Sequence, residues 1–258
     1  MKKIKIVFSI LLIAVLLCSC SSEPTSVDAS RVRLDYQATY LVKTQAGTEY
    51  SNKFDISTQG EQIQILSTVC EPYTIKENGE EKTGEQVVSM QILLDSKTLM
   101  PVKNEQTYTV SIASNLNAKL LAEFNTEQNF AILRASKKNS SGEEEEKTYT
   151  VSLGKQYFDK DSLAFIIGAL TEGDISLFSS NRDTLQNVKL VIDEKEQKVQ
   201  TDLGEFVCTV YHVVPKTAFT VYGASFFVDK QSGICVKVEQ QNSSMIITEF
   251  TQNGIALY

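Results

Sequence analysis

The sequence predicts a mainly β protein: an antiparallel, strongly curved sheet with one short packed helix at about residues 160–171. Period-two alternation of apolar residues runs through most of the chain, which sets one face of each strand against a core and the other toward water. Short segments rich in Gly, Asn, Gln and Ser separate these runs, as antiparallel hairpins require and βαβ units do not. A helical apolar spacing stands out in a single stretch.

Tyr36, Ala38, Tyr40 and Val42 share parity in the first run, and Val88, Met90, Ile92 and Leu94 do so in a later one. Tyr108, Val110 and Ile112 follow, then Leu120, Ala122 and Phe124, then Phe130 and Ile132. Turn chemistry marks residues 45–47, 58–60, 77–79, 125–127 and 231–233. Residues 143–146 are four consecutive glutamates. Neighbouring strand side chains alternate in direction, so this run reads as a solvated hairpin tip rather than a metal site. Leu163, Ile166, Ile167 and Leu170 fall at i, i+3, i+4 and i+7, with Asp159 or Asp161 as N-cap and Gly173 as stop. Such a helix packs on a sheet face or caps the open end of the curved sheet. Beyond it, residues 188–192, 206–214, 219–228, 234–240 and 245–250 form a C-terminal meander. Pro215 stands where a missing N–H is harmless.

The start of the chain has a different character. Lys2, Lys3 and Lys5 precede residues 6–17, apolar except for Ser9 and 12 residues long. That is short of the roughly 20 needed to cross about 30 Å of hydrocarbon but suits the apolar region of a signal peptide. The stretch ends in Leu17-Cys18-Ser19-Cys20, which resembles the lipobox of a bacterial lipoprotein. Small Ser19 before Cys20, against bulky Leu17 before Cys18, favours Cys20 as the lipidated residue. The resemblance implies removal of residues 1–19 and a diacylglyceryl group, with palmitate-like chains, on Cys20. A polar, flexible tether over residues 20–33 and a single antiparallel β domain over residues 34–258 then follow. Two acyl chains anchor stably where one is marginal. The expected location is the extracytoplasmic face of a cell membrane or outer membrane.

With 25 basic against 32 acidic residues the net charge is −7, and loss of the three leader lysines takes it to −10. This argues against nucleic acid as a partner and against a polybasic grip on anionic lipid. Past the leader, Cys70, Cys208 and Cys235 remain, an odd number without metal-ligand spacing. Cys208 and Cys235 lie in expected strands and are open either to pairing or to burial as free thiols.

The order of elements also resembles a bacterial envelope family catalogued only as domain of unknown function 3108, over roughly residues 35–250. The segments that carry the likeness are Asp95-Ser96-Lys97-Thr98-Leu99-Met100-Pro101 before the strand at Tyr108, the Asp159-started helix, Thr201-Asp202-Leu203-Gly204-Glu205-Phe206, and Phe226-Phe227-Val228-Asp229 before Val236-Lys237-Val238. The chain has Phe226 or Phe227 where that family often has Trp, and Cys235 where it often has Pro. The resemblance implies an incomplete barrel wrapped around a helix, as in lipoprotein carriers, able to hold acyl chains. It brings no catalytic residues.

The sequence carries no clear signature of catalysis. His212 is the only histidine and sits in a strand, with no G-x-S-x-G elbow anywhere. Cys208, four residues away on the same strand face, lies about 13 Å from it, too far for a thiolate–imidazole pair. Asp159 and Asp161 have the composition of a glycosidase pair, but a helix N-terminus explains them more simply. The chain is expected to be non-catalytic, with no metal or cofactor. The aromatic residues are the better lead. Tyr36, Tyr40, Tyr108, Phe124, Phe130, Tyr222 and Phe226, with Ile166 from the helix, are the candidates to line an apolar-ligand site on the concave face. The expected function is a lipid-anchored envelope protein that binds a lipid or other apolar ligand, or an envelope protein partner. The alternatives are a structural or protein-interaction module with a filled core and, less favoured, an envelope hydrolase.

Overall fold

The computed structural model describes residues 24–77, 79–113, 116–138, 142–180, 184–216 and 222–256. The leader, Cys18, Cys20, Asn78 of the 77–79 turn and residues 219–221 of the expected 219–228 strand lie outside them. The described chain is mainly β. Its strands are β1 (Tyr36–Thr44), β2 (Glu49–Gln59), β3 (Gln62–Glu77), β4 (Glu80–Asp95), β5 (Pro101–Val110), β6 (Ala118–Asn125), β7 (Phe130–Lys138) and β8 (Glu144–Ser152). The two-residue β9 (Phe158–Asp159) directly precedes the helical segment, and after that segment come β10 (Gly173–Ser179), β11 (Thr184–Ile192), β12 (Gln197–Thr201) and β13 (Gly204–Pro215). β14 (Ala224–Asp229), β15 (Cys235–Gln240), β16 (Ser243–Gln252) and β17 (Ile255–Ala256) complete the set.

These strands make one sheet. Consecutive hairpins run from β8 back to β1. β1 also pairs with β16, and the sheet continues through β15, β14, β13, β11 and β10. Every pair is antiparallel except β9 with β10. The sheet does not close: β8 stands at one end and the β9–β10 pair at the other.

Side chains, not a ladder, bring the two ends together. Ala122, Ala131 and Leu133 of β6 and β7, with Leu153 just past β8, form a small buried cluster with Tyr157 and Phe178 of the far end. Phe124 meets Phe178 edge-on at 5.1 Å and stacks on Tyr157 at 5.7 Å between ring centroids. The open edge of β8 is blunted by charge: Glu144, Glu145, Glu146 and Lys147 are exposed, with Lys138 and Lys137 across from the first two. The expected solvated tip is thus a charged edge strand.

Cross-strand register builds the concave face in rows. The deepest row is Ile56, Ile65, Ile92, Asn104, Ala122 and Leu133, each with no exposed surface. The next is Phe54, Ser67, Met90, Gln106, Leu120 and Ala135. The outermost is Asn52, Val69, Val88, Tyr108, Ala118 and Lys137.

The helical segment plugs this curve but is less regular than its spacing predicts. A 3-10 turn (Lys160–Ser162) leads into a single α turn, α1 (Leu163–Ile166), and a second 3-10 turn (Ile167–Ala169). Leu163, Ile166, Ile167 and Leu170 bury as a stripe. Asp159 is the N-cap, accepting from the Asp161 N–H. The segment ends before Gly173 because Leu170 turns extended and bridges to Val27. One helical turn has no stability of its own and depends on this packing.

Val27 belongs to the stretch expected as a free tether. From residue 24 onward that stretch is laid on the body instead. Thr25 N donates to Asp174 O, Asp28 N to Ala169 O at 2.8 Å, and Thr171 N to Ser26 O at 3.1 Å. Asp28 caps a 3-10 turn (Ala29–Arg31), and Val27, Ala29, Val32 and Leu34 pack on the main core. These apolar residues, interleaved with polar ones, cover the edge of β10 that the short β9 leaves open.

Phe178→Ala should lower stability by about 3–5 kcal/mol, as expected for truncating a large buried aromatic. The Tyr157 hydroxyl is buried without a hydrogen-bond partner among the described residues. Tyr157→Phe should therefore raise stability by about 1 kcal/mol. Urea unfolding midpoints check both, and a less stable Tyr157→Phe protein would show that the hydroxyl has a partner.

Candidate ligand cavity

Beside the start of the helical segment the concave face holds a cavity of about 330 Å³. Phe54, Met90, Phe165, Phe226, Val238 and Met245 are among its apolar walls. Gln106, Lys160, Asp161 and Tyr222 line it with polar groups. Below it Ile56, Ile65 and Ile92 are fully buried.

The polar side is built from two elements. β5 alternation sets Asn104, Gln106 and Tyr108 on the inward face, and the 3-10 turn after Asp159 lays Lys160 and Asp161 across them. Asn104 Nδ2 donates to Asp159 Oδ2 at 2.8 Å, and Gln106 Nε2 donates to Asp161 Oδ2 at 3.0 Å. Gln106 also reaches Asn104 Oδ1 at 3.3 Å and accepts from the Tyr108 hydroxyl. Lys160 lies 5.6 Å from the centre of the Tyr222 ring and 3.8 Å from Asp161 Oδ1. The cavity thus presents one cation and one anion held close together, with amide and phenol groups beside them.

Burial, then the Asp161 charge, pushes the Asp159 carboxyl up to about 7, against the pull of its three donors. Asp159 is fully buried and is not among the residues lining the cavity, so it does not reach a ligand as a proton donor would have to. Burial and the Asp161 charge likewise raise Tyr222 and Tyr108 above the ordinary phenol value.

The aromatic candidates divide among several places. Tyr222 and Phe226 line this cavity, and Tyr108 lines an adjoining groove. Tyr36, Tyr40 and Ile166 are core residues: Tyr36 packs 5.4 Å from Phe250, and the Tyr40 hydroxyl donates to Cys235 O at 2.8 Å. Phe124 sits against the second cluster and, with Phe130, beside a shallow surface hollow. The helix contributes Phe165 and Ala164 to the cavity in place of Ile166. Sequence reasoning passes over Asn104 and Gln106, whose signal is two amides at inward strand positions.

Cys208 and Cys235 are buried free thiols, both pushed up to about 12 chiefly by burial, and Cys70 is exposed. No cluster of three metal-ligating side chains occurs among the described residues. His212 does acquire partners: its Nδ1 is 2.9 Å from Ser225 Oγ and its Nε2 3.1 Å from Asp193 Oδ1. This order of groups matches a serine nucleophile with its base and orienting acid. However, Ser225 lies mid-strand between β13 and β15. Its neighbours' N–H groups are spent on ladders rather than gathered as oxyanion donors.

Asp159 sets a pH dependence. Its folded value near 7 lies above its ordinary 3.8, so between those limits the native protein holds a proton that the unfolded chain has lost. The stabilisation is full at the acid end and is lost as pH rises through 7. Asp159→Asn should cost stability at pH 5, with a gap to wild type that narrows by pH 8. Chemical denaturation at the two pH values measures this, and a constant gap would rule it out. Asn104→Leu should cost about 1–3 kcal/mol by stripping the carboxyl of its side-chain donor.

No family model matches the chain, and no curated protein or solved structure matches it.

Proposed function

We propose that this chain is a membrane-tethered, non-catalytic binding protein of the bacterial cell envelope, lipidated at Cys20. Its ligand is an amphipathic molecule whose apolar part enters the cavity beside α1. One observation carries the reading: apolar walls converge on a compact polar group made by Gln106, Lys160, Asp161 and Tyr222. Ligand pockets have this composition, an apolar concavity with few placed polar groups. Because Lys160 and Asp161 offset each other, the polar end of the ligand is uncharged or zwitterionic. A monoacylglycerol-like molecule has the required donors and acceptors. The buried core beneath supports the structural-module alternative only in part, since that reading leaves the cavity without a role.

Native mass spectrometry after gentle extraction should find bound amphiphile, and a fluorescent monoacylglycerol should bind wild type. Ala164→Trp, which fills the cavity from the helix side, should lower that affinity at least tenfold. Ligand-free protein that takes up no probe would sink the binding reading. For the anchor, Cys20→Ala should move the protein out of the membrane fraction and Cys18→Ala should not. The reverse pattern would shift the lipid to Cys18.

A further inference from the structure

The other half of the same concave face carries a second groove, of about 480 Å³. It runs over β5 to β8, across Tyr108 from the first cavity. Tyr108, Leu120, Leu116 and Tyr149 give it apolar walls. Leu116 is 39% and Tyr149 42% exposed, so both present apolar surface to water.

The charge at this groove departs from that of the chain. Lys137 and Lys147 line it with side chains at inward positions, and Glu145 is the only carboxylate that lines it among the described residues. Lys119, between inward Ala118 and Leu120, belongs to the opposite face, where it pairs with Glu105 at 2.6 Å, and Lys147 stands 3.8 Å from Glu145. The lysines still outnumber the local acids, on a protein whose net charge is −7. A second observation is independent of charge. Ser180 lines the groove, is 1% exposed, and its hydroxyl has no hydrogen-bond partner among the described residues. A buried hydroxyl without a partner is a standing cost that a ligand oxygen would remove.

We infer that this groove is a second binding site, for an anionic single-chain amphiphile. The hydrocarbon chain lies along Tyr108, Leu120 and Tyr149, and the carboxylate or phosphate head is held by Lys137 and Lys147. Ser180 donates to a ligand oxygen inside the groove. The site differs from the first cavity in the sign of its charge, so the two select different heads on similar chains.

The test is titration of the purified full chain with dodecanoate, dodecyl phosphate, dodecyl maltoside and dodecyltrimethylammonium, each below its micelle concentration. In the component of binding that Ala135→Trp removes, both anions should bind at least tenfold more tightly than the sugar or the cation. A preference between the two anions would tell a fatty-acid head from a phosphate head. Lys137→Glu with Lys147→Glu, both at exposed positions, should abolish the preference for anions. Ala135→Trp should block the groove, and Ala164→Trp in the first cavity should leave anion binding unchanged. Ser180→Ala should weaken binding severalfold while raising the melting temperature of the free protein, a combination that a purely structural serine would not give. Equal binding of the cation overturns the inference. So does anion binding that survives the lysine reversal, or that is lost in Ala164→Trp but kept in Ala135→Trp.

Discussion

The Asp159 carboxyl group, out of contact with water, meets the Asn104 amide from a strand 55 residues earlier in the chain. Asn104 sits in a row of Ile, Ala and Leu, and nothing in that row calls for an amide except the carboxyl above it. The pair fixes where the helical segment begins, and that start fixes the rest. Asp159 holds the Asp161 N–H, which starts the first turn. That turn sets Leu163, Ile166 and Ile167 into the core and lays Lys160 and Asp161 over Gln106. A buried polar pair gives little net stability against an apolar replacement, but losing one partner is expensive. Its service here is to select one position for a segment whose single α turn would not select a position by itself.

The same pair explains why the concave face is divided. Gln106 is held by Asp161 and Asn104 and accepts from Tyr108. This chain of groups stands on β5, in the middle of rows that are otherwise continuous from β2 to β7. On one side the rows lie beneath α1 and face a balanced ion pair. On the other they open toward the charged strand β8. A sheet that closed into a barrel by a ladder would leave one interior. Here closure depends on Phe124, Tyr157 and Phe178, and the strand edge beyond them stays available to shape a second surface.

The strands were legible because one-sided burial imposes period two, and the register bears out the parity of Tyr36, Ala38, Tyr40 and Val42, all buried. Gly47, Gly60 and Gly233 take positive φ in expected turns, where a side chain would be strained. The helix was legible as a stripe but not in its length, since a bridge to Val27 from a distant segment ends it. The docking of residues 24–33 was hidden because a few apolar residues among serines look like a linker until an open strand edge is there to receive them. For the site, Tyr222 and Phe226 carried a signal as inward aromatics. Tyr36 and Tyr40 carried the same signal and are core, because parity tells which face a residue is on and not how far a neighbour stands from it. Asn104 and Gln106 needed the opposite inference: amides at inward positions imply a polar partner, whose identity only the folded path of the chain supplies.

The docked segment has a mechanical consequence for the anchor proposed at Cys20. Between that cysteine and Pro24 stand three residues, a leash of about 14 Å at full stretch. A body on the 14-residue tether that composition suggests would tumble freely above a bilayer. With the lipid at Cys20 as proposed, a body held at Pro24 would behave more like a door on its hinge: the edge around Asp174 would stay at the membrane, and the remainder would swing through a limited arc. Which molecules can approach the sheet would then be decided as much by the hinge as by the chemistry of its grooves.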